Sequence, residues 1–224
     1  HSAYDSQKRP MTDDITLLFV HGWGYDASFW RPLRQALGYQ PSIAADLGYF
    51  GAPHWPKIAG PVIAIGHSFG AMMLLRNPPP NCQALIAING FDRFTQSDDA
   101  PGVAPRIVDR MLDKFDMEPR KVLAEFHQRC GEPGPLGRVD KGRLREHLAL
   151  LRDADERSRS ARWRTPIFSL QGGCDPILPP AAHDQLFAGA GQVTRFVHPS
   201  GGHVLPTSDP SWCMSRIIHL VGDF

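Results

Sequence analysis

The 224-residue chain predicts an α/β fold, a mostly parallel, doubly wound sheet carrying a helical insertion. Six short β-type runs, at 15–20, 43–45, 62–65, 84–88, 167–170 and 193–197, read as apolar throughout and do not alternate, as parallel strands covered on both faces do. Helical stretches separate most of them, notably 27–37 and 68–75, and strands alternating with helices assemble as a wound parallel sheet. Between 91 and 164 that rhythm stops, and helical patterns follow one another without an obvious strand.

In chain order, 15–20 is the first strand and His21-Gly22-Trp23-Gly24 the loop beyond it. The connection from 47 to 61 is short for a helical crossover, although about a dozen residues can make one. The third run enters Gly66-His67-Ser68-Phe69-Gly70 and then small, helix-forming residues, which reads as strand, sharp turn and helix; Pro78-Pro79-Pro80 stops that helix. Within the insertion, 106–115 carries Ile107, Met111, Leu112 and Phe115 at helical spacing, 119–128 carries Val122, Leu123 and Phe126, and 143–151 continues the pattern. Such an excursion reads as a lid whose apolar faces roof a pocket, although for most of those side chains holding the insertion together is the favoured role. Residues 131–142, rich in Gly and Pro, are the expected hinge, and 212–221 is a closing helix capped by Ser208 or Asp209. The core is then 11–90 with 165–224, the lid 91–164, and residues 1–10 a cloning or processing remnant ahead of Met11.

The third turn carries the chemistry. A strand reversing directly into a helix brings two backbones together, so Gly66 and Gly70 flank the position where a Cβ would collide, and Ser68 is lifted clear of the sheet as a nucleophile elbow. A serine hydroxyl is a poor nucleophile until a base takes its proton, so the elbow requires a histidine and a group to orient it. Asp175 follows the fifth run within Gln171-Gly172-Gly173-Cys174-Asp175-Pro176, and His203 follows the sixth within His198-Pro199-Ser200-Gly201-Gly202-His203. Ser, Asp, His is the chain order that such elbows use. Asp175 is preferred to Asp184, which falls on the following helix, and His203 to His198, a strand-end residue. Main-chain N–H groups of Phe69, opening the helix, and of Trp23, after the first strand, are the candidate oxyanion donors. Trp23, Phe69, Met111, Phe115 and Phe126 are the candidate pocket lining. His21, His54 and His67 could also face that pocket, or simply pack or meet solvent.

Composition excludes several classes. A formal net charge of +1 offers no whole-molecule attraction to nucleic acid or membrane surfaces, and no apolar stretch approaches the roughly 20 residues that span a bilayer. Cys82, Cys130, Cys174 and Cys213 are widely spaced, which points to reduced thiols in a cytoplasmic protein, with Cys174 packed in its loop. There is no metal-ligand constellation and no phosphate-cradling Gly-x-x-x-x-Gly-Lys, so neither metal nor cofactor is expected, and a monomer is the simplest state.

Taken together these residues resemble the α/β-hydrolase superfamily and, within it, the pimeloyl-[acyl-carrier protein] methyl ester esterases of biotin biosynthesis. The likeness rests on residues 21–24 with Ala27 and Trp30, on Asp46-Leu47 and Gly51, on the elbow, Asp175 and His203, and on Phe94 through Asp99 to Pro101-Gly102-Val103-Ala104-Pro105. The usual strand pair before the Trp23 strand is missing or nearly so, and His67 stands where those esterases usually have tryptophan. The resemblance implies a Ser-Asp-His carboxylesterase whose acyl ester rides on acidic acyl-carrier protein, with basic lid residues as the docking surface. Arg138, Arg143 and Arg145 are the candidates, diluted by Glu146, Asp153, Asp155 and Glu156, which also suit an ordinary solvated face. A general small-molecule carboxylesterase or lactonase fits the same machinery, and a non-catalytic binding module is the alternative of another class.

Overall fold

A computed structural model describes residues 14–224; residues 1–10, expected as a remnant, and Met11 lie outside the described residues. Six strands, β1 (Thr16–Val20), β2 (Ser42–Ala44), β3 (Val62–His67), β4 (Cys82–Ile88), β5 (Ile167–Gly172) and β6 (Val193–His198), form one sheet in the order β2-β1-β3-β4-β5-β6, every pair parallel. The chain leaves β1 toward β2 and returns on the other side of β1 as β3. Ligands of wound sheets lie beyond the C-terminal strand ends at such a reversal, between β1 and β3 here. Register aligns those ends, with Val20 opposite Gly66, His67 opposite Ile88 and Gly172 opposite His198.

The inner strands are buried on both faces: residues 17–20, 62–65 and 85–88 are fully inaccessible, which is why they read as unbroken apolar runs. The two edges depart from the expected double cover. β2 is only partly buried, and β6 exposes Thr194, Arg195 and Val197, because an edge strand has one neighbour and incomplete helical cover. The crossover from β2 to β3 contains no helix. Its residues turn back on themselves through an antiparallel bridge in which Asp46 and His54 exchange N–H···O=C bonds of 2.8 Å, a solution open to a segment too short to lay a full helix on the sheet.

Helices α1 (Arg31–Leu37) and α2 (Phe69–Arg76) accompany the first half of the sheet. The insertion supplies α3 (Pro105–Met117), α4 (Pro119–Cys130), α5 (Lys141–Asp153) and the short α6 (Arg157–Ala161), with α3 packed on both α4 and α5. Gly131 at φ +85 ends α4 in the left-handed cap favouring glycine, and 131–140 runs on without regular structure. The exit is fastened by Glu156, whose carboxylate meets Arg76 at 2.6 Å and Arg159 at 2.8 Å. The chain closes with α7 (Leu205–Ser208) and α8 (Pro210–Val221); of the two candidate caps, Asp209 accepts from Trp212 N–H at 3.1 Å. Among the described residues no helix is long and apolar enough to cross a membrane.

Candidate active site

Ser68 sits between β3 and α2 at φ 54, ψ −123, a conformation costing a non-glycine residue on the order of 1–3 kcal/mol. The flanking glycines make it attainable. A Cβ on Gly66 would lie 2.5 Å from Ala71 N, and one on Gly70 only 2.1 Å from the Val20 carbonyl oxygen. The Ser68 N–H donates to Ile88 O at 3.1 Å, fixing the turn to β4.

Two distant loops meet this serine. Ser68 Oγ lies 3.0 Å from His203 Nε2, and His203 Nδ1 lies 2.8 Å from Asp175 Oδ2. The other carboxylate oxygen, Oδ1, accepts from Ile177 N–H at 2.8 Å and Leu178 N–H at 2.9 Å. All three side chains are buried. Burial alone would raise the Asp175 carboxyl, but His203 and the two N–H donors outweigh it and hold its pKa below the ordinary carboxylate value. An ionised Asp175 keeps a proton on Nδ1 and leaves Nε2 to accept from the hydroxyl. This is the arrangement a proton-relaying triad needs.

Glycine explains how the two loops approach. A Cβ on Gly172 would stand 2.2 Å from Gly202 O, and one on Gly173 would stand 2.7 Å from Pro199 O. With those positions bare, Gly173 N–H reaches His198 O at 2.8 Å and Cys174 N–H reaches Gly201 O at 2.9 Å. Asn89, which sequence reasoning passed over, completes the assembly. Its Nδ2 donates to Gly202 O at 2.8 Å and its Oδ1 accepts from Leu205 N–H at 3.1 Å, so it grips the chain on both sides of His203. Its signal was present: an asparagine closing a buried apolar run before Gly90, here at φ 50, where asparagine is tolerated better than most residues.

The other histidines weighed from the sequence stand outside the Ser68–His203–Asp175 chain of contacts. His67 stacks on Phe29 with centroids 4.4 Å apart, and burial pushes its pKa down to about 3. His21 is buried and accepts from Leu47 N–H at 2.9 Å, His54 is exposed, and His198 is engaged by Asp209 at 2.9 Å. Asp184 is exposed, and so is Cys174.

Phe69 is the first residue of α2, where no preceding turn offers its N–H a partner, and Trp23 follows Gly22, whose Cβ would stand 3.1 Å from Ser68 Cβ. Neither main-chain N–H has a hydrogen-bond partner among the described residues. Of the expected pocket lining, Met111 and Phe126 border a cavity of about 350 Å³ that extends past Phe94, Val103 and Ile177 to Asp175. Trp23 is buried between Phe115 and Phe126, at centroid distances of 6.3 and 5.1 Å, while Phe69 packs on His147 at 5.3 Å. Arg145 is paired with Asp116 at 2.5 Å; Arg138 and Arg143 have no ion pair among the described residues.

A parallel wound sheet with Ser68, His203 and Asp175 aligned beyond its strand ends is the arrangement that hydrolases with a nucleophile elbow use. The profile of the Alpha/beta hydrolase family matches residues 17–215, and the chain belongs to that family. It is similar to the pimeloyl-[acyl-carrier protein] methyl ester esterases of Sodalis glossinidius (24% identity, 84% of this chain, 90% of that one) and Legionella pneumophila strain Corby (28%, 74% and 77%). It is also 25% identical, over 90% of its length, to the biotin biosynthesis bifunctional protein BioHC of Cellvibrio japonicus, of which it spans only 46%. In fold it matches an esterase from Exiguobacterium antarcticum with a TM-score of 0.81 at 16% identity, covering 92% of this chain and 91% of that one. The family match makes the chain a hydrolase.

Proposed function

We propose that the chain hydrolyses a carboxylic ester by two-step acyl transfer, with Ser68 as nucleophile, His203 as general base and then acid, and Asp175 orienting the imidazole. Ser68 Oγ attacks the ester carbonyl carbon as its proton passes to His203 Nε2. The resulting oxyanion is held by the Trp23 and Phe69 N–H groups. The tetrahedral species collapses, and His203 returns the proton to the departing alkoxide, releasing the alcohol and leaving an acyl-serine. Water then adds to that acyl group, giving its proton to His203, and the carboxylate leaves as Ser68 is reprotonated. The observation that carries this reading is the unbroken chain of contacts, 3.0 Å from Ser68 to His203 and 2.8 Å from His203 to Asp175. Purified Ser68→Ala hydrolysing a short p-nitrophenyl ester as fast as wild type would refute it.

The substrate this reading favours is pimeloyl-[acyl-carrier protein] methyl ester in cytoplasmic biotin synthesis. The relatives so named support it, as do Arg138 and Arg143, which have no ion pair among the described residues and whose charge on the insertion suits an acidic carrier. In this reading 91–164 is the lid that the carrier meets. A small-molecule ester or lactone is favoured instead by the pairing of Arg145 with Asp116 and of Arg157 with Asp99 and Asp155, which neutralises much of that face. Comparing carrier-bound methyl pimelate, free methyl pimelate and simple acetates separates the two. Restored growth without biotin in cells lacking their own esterase is the biological counterpart.

A further inference from the structure

Three consecutive residues of the loop after β1 are each held by a different part of the insertion. The Trp23 indole Nε1–H donates to the Leu144 carbonyl of α5 at 2.8 Å. The Gly24 carbonyl accepts from His127 Nε2 of α4 at 2.6 Å. The Tyr25 hydroxyl donates to the Glu132 carbonyl, between those helices, at 2.9 Å.

His127 is fitted closely into this join. Its ring lies 4.9 Å from that of Tyr25. A Cβ on Gly134 would stand 2.0 Å from His127 Cε1, and one on Gly24 would stand 2.9 Å from Leu123 Cδ1 and 3.2 Å from His127 Nε2. Gly24 also sits at φ +81, a conformation that favours glycine, so neither face of the join accepts a side chain. Burial lowers the His127 pKa and keeps the ring neutral, and a carbonyl partner at Nε2 requires the proton to be on that nitrogen. The ring therefore donates one directed bond to the loop.

We infer that His127 is a positioning residue: by fixing the Gly24 carbonyl it restrains the loop that carries the Trp23 N–H, two peptide planes upstream, so that stabilisation of the oxyanion depends on where the insertion sits. The inference rests on the reading of Trp23 N–H as an oxyanion donor. It differs from simple anchorage of the insertion. An anchor affects thermal stability or ground-state binding, whereas a group that aims an oxyanion donor affects the transition state selectively. It also gives the insertion a route to the reaction rate: a shift of α4 bears on the Gly24 bond and a shift of α5 on the Trp23 bond.

The test compares His127→Leu, which removes the donor, with His127→Gln, whose Nε2 can replace it. Three quantities are read: kcat and KM on a short p-nitrophenyl ester, inhibition by a trifluoromethyl ketone that Ser68 would convert to an oxyanion adduct, and inhibition by the matching alcohol, which forms none. In His127→Leu, kcat is expected to fall on the order of tenfold to a hundredfold with KM within about twofold. Ketone affinity falls by the same factor as kcat/KM, alcohol affinity holds, and His127→Gln recovers most of the loss. A folded His127→Leu with unchanged kcat and ketone affinity overturns the inference, as does parallel loss of ketone and alcohol binding. Should His127→Leu fail to fold, Tyr25→Phe is read instead: a severalfold loss of kcat tracked by the ketone supports the coupling, and wild-type values overturn it. Full activity in Ser68→Ala would sink the acyl-enzyme reading itself, whereas an inactive Ser68→Ala beside an unaffected His127→Leu sinks only the coupling.

Discussion

His67 Nε2 donates to the main-chain carbonyl of His203 at 2.7 Å, so the residue before the elbow serine holds the backbone of the imidazole that faces that serine. The two rings lie 5.2 Å apart, and Phe29 stacked on His67 prevents it from swinging away. Positions 67 and 203 are thereby linked through a bond to backbone, which leaves both nitrogens of His203 free for Ser68 and Asp175.

Removing this bond should loosen His203 and leave its chemistry intact. His67→Leu is expected to lower kcat roughly tenfold to a hundredfold, since a 1 Å misplacement can cost about that much, with KM little changed. His67→Gln, which retains a donor at the Nε2 position, should recover most of the rate. Steady-state kinetics on a p-nitrophenyl ester, with circular dichroism to verify folding, checks both.

Asp175→Asn presents an amide to a site built for a carboxylate. One oxygen of Asp175 accepts two N–H groups and the other faces His203 Nδ1, so an amide NH₂ must oppose a donor in one place or force the wrong imidazole tautomer in the other. A loss of kcat on the order of 10⁴ is expected. Activity within tenfold of wild type would remove Asp175 from the proposed relay.

Gly70→Ala tests the elbow's close approach. With the Val20 carbonyl oxygen only 2.1 Å from the added methyl group, β1 and α2 must separate, and backbone on both sides leaves nothing flexible to give. Destabilisation of at least about 1–3 kcal/mol is expected, the usual cost of overpacking, together with loss of activity. Thermal and urea unfolding measure it.

Stability should decline on mild acidification. His67 and His147 are buried, which pushes their pKa values down to about 3 and about 4, against an unfolded value of about 6.5. Below pH 6.5 the unfolded chain takes up protons that the folded chain refuses, so stability falls as pH drops toward 4, by up to about 1.4 kcal/mol per pH unit for each histidine. Asp175, whose pKa is depressed, works at lower pH: its contribution is complete above the unfolded carboxylate value and is lost as pH falls through its folded value. Unfolding midpoints measured from pH 7 to 4 should drop in wild type and drop less steeply in His67→Gln.

The inner strands were legible because burial on both faces leaves no alternation to confuse with a surface strand; residues 62–65 and 85–88 show this directly. β6 was legible in position but not in environment, since its exposed Thr194 and Arg195 reflect a missing neighbour that no local pattern records. The crossover after β2 was legible as short for a helix, but the bridge between Asp46 and His54 that takes a helix's place was not, because no local pattern records that pairing. Asn89 was overlooked because its partners, Gly202 and Leu205, are more than a hundred residues away.

By itself the sequence determined the elbow, the order of Ser68, Asp175 and His203, and the glycines that admit close backbones, because each depends on conformational and chemical limits that act within a few residues. Only the tertiary structure decided that the three side chains meet at 3.0 and 2.8 Å, that His67 and Asn89 brace the His203 loop, and that the insertion grips Trp23, Gly24 and Tyr25. Those are contacts between segments far apart in the chain. Such contacts are set by strand register and by the packing of loops beyond the C-terminal strand ends, so they arise only when the whole fold closes.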